Sequence, residues 1–222
     1  MNKYELIVFD WDGTIMDSEC RIVACMQNAA DDAGSEVPSR DATRNIIGLG
    51  MREAVERLFP EHDSDHHTKI IDAYRHHWLG DDIPHSLPFD GAEELLAKLN
   101  SQGYLMAVAT GKSRRGLDKI LKETGFGKYF HDTRCADETF SKPHPQMIEE
   151  LMTDLNTDRV NTLMIGDSEY DIRMAANAKV DSIAVTHGVH DIERLMECGA
   201  LARFDHLSEI APWINQQNGL EV

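Results

Sequence analysis

Two aspartates separated by a single residue follow the first apolar run of the sequence. Asp10 and Asp12 come after residues 6–9, a run of β-branched, apolar and aromatic side chains. On an extended backbone, residues two apart point to the same side, so the two carboxylates would share one small volume. Like charges this close are unfavourable unless a proton or a cation intervenes. The pair therefore predicts a cation site, to which Asp167 would add a third carboxylate after a later apolar run.

Hydroxyl, amide and ammonium donors stand in similar positions further along the chain. Thr110 and Gly111 stand at the end of an apolar run. Lys142 lies in a short polar segment between that run and the apolar run before Asp167. A threonine hydroxyl, the N–H groups of a turn and a lysine ammonium are donors that suit a phosphoryl group. Ligands of open parallel sheets bind beyond the carboxyl ends of the strands, so these groups are expected to meet the aspartates there.

This set of side chains predicts phosphoryl chemistry. A carboxylate can attack phosphorus and form an acyl phosphate, which divides one difficult displacement into two easier ones. A second carboxylate can protonate the leaving alkoxide and then activate a water molecule. Four carboxylates (Asp10, Asp12, Asp167 and Asp171) would face one lysine, so a bound phosphate dianion requires a divalent cation for charge balance. Hard oxygen ligands favour Mg²⁺ as that cofactor.

The chain as a whole is strongly acidic, with a net charge of −17 from 39 acidic and 22 basic residues. Such a surface repels nucleic acid and anionic membranes, so neither is an expected partner. A small phosphorylated metabolite needs local compensation from a cation, a lysine and backbone N–H groups. No apolar run approaches the roughly 18 residues of a membrane helix, and residues 1–10 do not resemble a signal peptide. A cytoplasmic location is therefore expected.

The elements that must position these groups alternate between strand and helix from residue 89 onward. Besides a strand at 6–9, strands are predicted at 104–109, 133–136, 162–165, 182–185 and 202–204. Helices are predicted at 92–100, 114–123, 146–155, 171–178, 192–197 and 207–215. This alternation indicates a parallel sheet with helices on both faces.

Residues 15–88 depart from this alternation. They contain four helical patterns, at 18–33, 39–47, 52–59 and 67–79, and no strand pattern. The simplest organisation is a doubly wound α/β core made of residues 1–14 and 89–222, with an all-helical cap domain, residues 15–88, inserted after the first strand.

The polar segments, taken in order, resemble the haloacid dehalogenase superfamily and within it the phosphoglycolate phosphatase-like branch. The chain has DWDGT at 10–14, Thr110, Lys142 before a proline, and GDSEYD at 166–171. Residues 15–88 have the position and size of the C1-type helical cap of that family. The resemblance implies a Rossmann-like core and a Mg²⁺-dependent phosphatase that acts on a small organic phosphomonoester, with phosphoglycolate as one candidate.

The resemblance also implies roles for the carboxylates. Asp10 resembles the nucleophile, and Asp12 resembles the general acid and base. Asp167 resembles the metal carboxylate, and Asp10 with the main-chain carbonyl of Asp12 would complete the protein ligands. Asp171 resembles the residue that orients Lys142 or a metal-bound water.

Further residues are implied to bind the phosphate and the rest of the substrate. Thr110 and Lys142 resemble the phosphate binders, with Gly111 beside them where many relatives have asparagine. Residues 48–52 resemble the substrate-specificity loop of the cap, and Arg52 within it is a candidate for binding a substrate carboxylate.

Three other functions share parts of this pattern. A sugar-phosphate mutase would use the same phospho-aspartate and pass the phosphoryl group to a second hydroxyl, and the sequence leaves this alternative open. A dehalogenase has no alkoxide to protonate, so Asp12 and Asp167 argue against it. A two-component receiver also combines aspartate, threonine and lysine on a doubly wound sheet. Its phosphoacceptor follows a middle strand, however, whereas Asp10 follows the first.

Overall fold

A computed structural model describes residues 3–80, 83 and 85–220. The other residues of the predicted core and cap ranges, namely 1–2, 81–82, 84 and 221–222, lie outside the described residues. The strands are β1 (Leu6–Phe9), β2 (Met16–Asp17), β3 (Leu87–Pro88), β4 (Leu105–Thr110), β5 (Asp132–Cys135), β6 (Thr162–Gly166), β7 (Asp181–Val185) and β8 (Arg203–Phe204).

Four of the helices within the same ranges lie between β2 and β3. The α-helices are α1 (Glu19–Asp32), α2 (Arg40–Arg44), α3 (Met51–Leu58), α4 (Ser64–Leu79), α5 (Ala92–Ser101), α6 (Arg114–Thr124), α7 (Gln146–Asp154), α8 (Glu169–Ala178), α9 (Ile192–Glu197) and α10 (Ile210–Gln217). Short 3₁₀ helices occupy Phe126–Tyr129, Arg159–Asn161 and Leu207–Glu209. No helix in the described part of the chain is long and apolar enough to cross a membrane.

Six strands form one parallel sheet in the order β5-β4-β1-β6-β7-β8. The central strand β1 is fully buried, and its alternate residues face opposite sides. Ile7 and Phe9 pack into one apolar cluster, whereas Leu6 and Val8 pack into another. A strand with apolar contacts on both faces reads as a continuous apolar run, which is why its sequence shows no alternation. The predicted doubly wound α/β core is confirmed.

The helices between β2 and β3 bury an apolar cluster of their own. It lies between α1, α3 and α4 and includes Met26, Val55 and Ile70. The helical segment therefore has a core separate from those of the sheet, and its own packing fixes its shape.

Two predictions for residues 15–88 were wrong in detail. The helix expected at 39–47 ends at Arg44, because the chain then turns towards Gly48, whose φ of 103° is incompatible with a right-handed helix. The segment also contains strands where none was expected, since β2 and β3 pair in antiparallel fashion where the chain leaves and rejoins the sheet domain. Two-residue strands are too short to show a periodic pattern.

Candidate active site

Three neighbouring strands end at one edge of the sheet, and each presents a polar side chain there. Asp10 follows β1, Thr110 is the last residue of β4, and Asp167 follows β6. All three side chains are almost completely buried. The carboxyl ends of parallel neighbours lie together, so the structure brings these predicted residues to one place.

Lys142 joins two of the carboxylates. Its Nζ lies 2.5 Å from Asp10 Oδ1 and 2.6 Å from Asp171 Oδ1, and its side chain is fully buried. Burial acts to lower the pKa of Lys142, but the charges of Asp10 and Asp171 outweigh burial and raise that pKa above its ordinary value. The lysine therefore keeps its charge in a site where an unpaired ammonium would be strongly unfavourable.

Asp171 is itself fixed by the start of α8. Its Oδ2 accepts hydrogen bonds from the backbone N–H of Ser168 at 3.1 Å and from the Ser168 hydroxyl at 2.6 Å. Ser168 is the N-cap residue of α8, and the two residues form a capping box. The other carboxylate oxygen faces Lys142, which suits the orienting role that the resemblance implies for Asp171.

Asp167 accepts hydrogen bonds from two donors and lies close to a glycine that leaves room for its side chain. The Thr14 hydroxyl donates to Oδ1 at 2.8 Å, and the Val189 N–H donates to Oδ2 at 2.9 Å. A Cβ at Gly188 would lie 2.1 Å from the Cβ of Asp167, so only glycine fits there. Burial and the charge of Asp171 raise the pKa of Asp167 to about 7.

The buried carboxylates fit a divalent cation. Asp10, Asp167 and Asp171 each offer an oxygen, and these oxygens lie within 4.8 Å of one another. Asp10 Oδ2 is buried and has no hydrogen-bond partner in the described part of the chain. Burial raises the pKa of Asp10 well above its ordinary value, although Lys142 opposes this rise. Converging hard oxygens, one of them unpaired, are a donor set that suits Mg²⁺.

Asp12 has different partners from the other carboxylates. Its Oδ1 accepts a hydrogen bond from the Ser18 hydroxyl at 2.7 Å. Lys112 Nζ lies 2.8 Å from Oδ1 and 2.9 Å from Oδ2. Asp12 therefore contacts a different lysine from Asp10 and Asp171. Such separate contacts suit a residue that would act as acid and base beside the nucleophile.

Lys112 is a site residue to which the sequence analysis gave no role. Its Nζ lies 4.3 Å from the ring centroid of Trp78, a cation–π contact with helix α4 between β2 and β3. The available signal was its position two residues after Thr110, at the end of the same strand. Its partner Trp78 depends on how α4 approaches the sheet, which no local pattern reveals.

Thr110 and Gly111 form the wall of the site nearest the loop at 48–50. The Thr110 hydroxyl accepts a hydrogen bond from the N–H of Lys112 at 3.1 Å. A Cβ at Gly111 would lie 2.4 Å from the Leu49 carbonyl oxygen and 2.7 Å from that of Gly48. A side chain cannot fit there while the loop keeps this position, which accounts for glycine at this position.

A cavity of about 720 Å³ opens from these residues towards the helices between β2 and β3. Asp10, Asp12 and Thr110 form its polar floor. Arg52, the predicted carboxylate binder, lines the cavity with about half of its side chain exposed, 3.8 Å from Glu56. The structure therefore brings every predicted site residue to the cavity or to the buried carboxylates beneath it.

Comparison with known proteins identifies the family. The model of the haloacid dehalogenase-like hydrolases matches residues 7–185. The chain is 32% identical over 209 residues to a protein of Dickeya dadantii named "Probable phosphatase IndB", covering 92% of this chain and 91% of the relative. It is 32% identical over 196 residues to the phosphoglycolate phosphatase of Agrobacterium fabrum, covering 84% and 82% respectively.

A solved structure shows the same architecture. The crystal structure of "a predicted phosphatase" from Clostridium acetobutylicum superimposes with a TM-score of 0.86 at 26% identity, over 96% of this chain and 99% of that one. The agreement covers the sheet and the inserted helices together. This chain therefore belongs to the haloacid dehalogenase-like hydrolase family, and within that family it is one of the phosphatases similar to phosphoglycolate phosphatase.

Proposed function

We propose that the chain hydrolyses a small organic phosphomonoester in a Mg²⁺-dependent reaction that passes through a phospho-aspartate at Asp10. The observation that carries this proposal is the different surroundings of the two Asp10 carboxylate oxygens. One oxygen contacts Lys142 at 2.5 Å, and the other is buried beside Asp167 and Asp171 with no hydrogen-bond partner among the residues that the structure describes. The relative from Agrobacterium fabrum supports phosphoglycolate as the first compound to test.

The proposed metal ligands are the carboxylates of Asp10 and Asp167 and the main-chain carbonyl of Asp12. Asp171 is less suited to direct ligation, because its Oδ1 contacts the Lys142 ammonium and its Oδ2 accepts two hydrogen bonds from Ser168, whereas each oxygen of Asp167 accepts one hydrogen bond from a neutral donor. Bound Mg²⁺ would neutralise charge on the phosphoryl oxygens. Lys142 and the Thr110 hydroxyl would bind the same oxygens and so keep phosphorus facing the attacking oxygen of Asp10.

In the first half of the proposed reaction, an Asp10 oxygen attacks phosphorus and the bond from phosphorus to the ester oxygen breaks. Asp12 gives its proton to the departing alkoxide, so that an alcohol leaves. In the second half, the Asp12 carboxylate removes a proton from water as that water attacks phosphorus. The bond from phosphorus to Asp10 breaks, inorganic phosphate leaves, and both aspartates return to their starting states.

The test is phosphate release from a panel of phosphomonoesters, with Mg²⁺ and with EDTA. We expect Mg²⁺-dependent release by the wild-type chain. We expect Asp10→Asn to lose at least about 1,000-fold in kcat while remaining folded, because asparagine preserves the shape and Lys142 keeps Asp171 as a partner. Asp31→Asn, on the exposed face of α1, is the matched control and should keep full activity.

Two results would contradict the proposal. Retained activity in the folded Asp10→Asn variant would remove Asp10 as the nucleophile. Transfer of the phosphoryl group to a second hydroxyl, without release of inorganic phosphate, would support the sugar-phosphate mutase alternative instead.

A further inference from the structure

We infer that the alcohol part of the substrate carries a ring with an apolar face and is larger than the two-carbon acid of phosphoglycolate. This inference rests on the proposed phosphatase function and concerns the same cavity. Its volume of about 720 Å³ lies within the roughly 300–1,000 Å³ of pockets that enclose ligands the size of drugs. A two-carbon acid bound at the polar floor would leave most of this volume filled with water.

The wall that the helices between β2 and β3 contribute is mostly apolar, although Arg52, Glu53, Thr68 and Arg75 also line the cavity. Its apolar part is formed by side chains from α1, α3, α4 and the segment between α2 and α3, namely Met26, Ile47, Met51, Ile71, Tyr74 and Trp78. Apolar walls with a few polar groups at one end are typical of sites that bind an apolar body and fix its orientation by the polar end. Here the phosphate would occupy the polar end, so the alcohol part would contact the apolar wall.

Part of this wall belongs to the packed interior of the helices between β2 and β3. Met26 and Ile71 belong to the apolar cluster between α1, α3 and α4 and are almost fully buried. Tyr74 and Trp78, one turn apart on α4, stack with ring centroids 5.9 Å apart and an interplanar angle of 13°. Side chains packed in this way favour a ring over a flexible chain as their partner, because a ring loses less conformational freedom on binding.

The cations that line the cavity are poorly placed for a short acid. Lys112 is the buried one among them in the described part of the chain, and both oxygens of Asp12 already contact it. The other cations of the lining are each more than a third exposed, namely Arg52, Arg75, Arg115 and Lys119. The carboxylate of phosphoglycolate would therefore meet either a lysine that is already paired or an exposed cation, and ion pairs with exposed side chains contribute little.

The inference is tested with matched phosphomonoesters in saturating Mg²⁺. The ring-bearing group comprises benzyl phosphate, a hexose monophosphate and a nucleoside monophosphate, and phosphoglycolate and glycerol phosphate form the other. We expect kcat/KM for at least one ring-bearing ester to exceed that for phosphoglycolate by about tenfold or more. The three ring compounds distinguish an aromatic, a sugar and a nucleoside alcohol as the source of the ring.

A pair of variants on α3 connects the preference to the wall. Met51 lines the cavity, whereas Leu58 on the same helix packs against the same apolar cluster and does not line it. Met51→Gln should lower kcat/KM for the preferred ring-bearing ester about tenfold, and this loss should exceed the loss for phosphoglycolate by at least about fivefold. Leu58→Gln should not lower kcat/KM for one substrate group more than for the other. Met51→Leu should keep the preference of the wild type, because leucine is also apolar.

The outcomes separate this inference from the function on which it rests. Highest kcat/KM on phosphoglycolate, with slower turnover of every ring-bearing ester, would overturn the ring assignment and leave the phosphatase function intact. Equal losses on both substrate groups in Met51→Gln would also overturn it. Failure to hydrolyse any ester in Mg²⁺ would overturn the proposed function, and the ring assignment with it.

Discussion

At the residue scale, two lysines pair separately with three of the four carboxylates of the site. Lys142 contacts Asp10 and Asp171, and Lys112 contacts Asp12. The sequence predicted one lysine against four carboxylates. The second lysine reduces the excess negative charge without removing it, so a bound phosphate dianion still requires a cation for balance.

The raised pKa of Asp167 predicts how stability depends on pH when metal is absent. Folded Asp167 holds its proton up to about pH 7, whereas an unfolded aspartate loses it near pH 4. The folded state binds more protons between these values, so the contribution of Asp167 to the free energy of unfolding falls as pH rises from about 4 to 7 and then levels off.

Urea unfolding in EDTA at several pH values, for the wild type and Asp167→Asn, measures this contribution. The stability of the wild type relative to the variant should fall by about 1–4 kcal/mol between pH 4 and pH 8. Mg²⁺ should restore stability to the wild type more at pH 8 than at pH 5, because the metal binds the ionised carboxylates. A relative stability that does not change with pH would contradict the raised pKa.

At the scale of elements, the loop between α2 and α3 closes against the end of β4. The carbonyl groups of Gly48 and Leu49 fill the space that a side chain at Gly111 would occupy. Gly111→Asn should therefore displace this loop and lower kcat/KM about tenfold or more, because small displacements of positioning groups have large effects on rate. Separate kcat and KM values and the melting temperature would be measured.

A matched control distinguishes loop displacement from a general effect of losing glycine. A Cβ at Gly127 would make only ordinary contact, at 3.8 Å from Leu121. Gly127→Ala should leave kcat/KM within about twofold of the wild type. If Gly111→Asn has no more effect than Gly127→Ala, the loop does not need its observed position for catalysis.

The sequence was most informative about elements whose residues share one environment. The apolar runs at β1, β4 and β6 are buried on both faces of the sheet, so their type and order could be predicted. The polar residues after them could be assigned to one edge from topology alone. The early end of α2, the pairing of β2 with β3, and the contact between Trp78 and Lys112 depend on tertiary packing. No local period encodes such contacts.

The charge of the whole molecule opposes its proposed substrate. The chain has a net charge of −17, although its site would bind a dianion. The lysine that would compensate the charge of the dianion, Lys142, is buried beside Asp10. The surface field acts during approach, and the buried charges act after binding.

Ionic strength separates these two effects. Raising KCl from about 10 to 150 mM shortens the Debye length from roughly 30 to 8 Å, so surface repulsion is screened more than the buried contacts. With Mg²⁺ kept saturating, kcat/KM for a dianionic phosphomonoester should rise about two- to tenfold, while kcat at saturating substrate should stay constant. Steady-state kinetics at both KCl concentrations measures kcat and kcat/KM. Sulfate salts are left out of the buffers, because sulfate competes with the phosphate group for the site. A fall in kcat/KM would show that the metal-loaded site attracts the substrate strongly enough to reverse the field of the acidic surface.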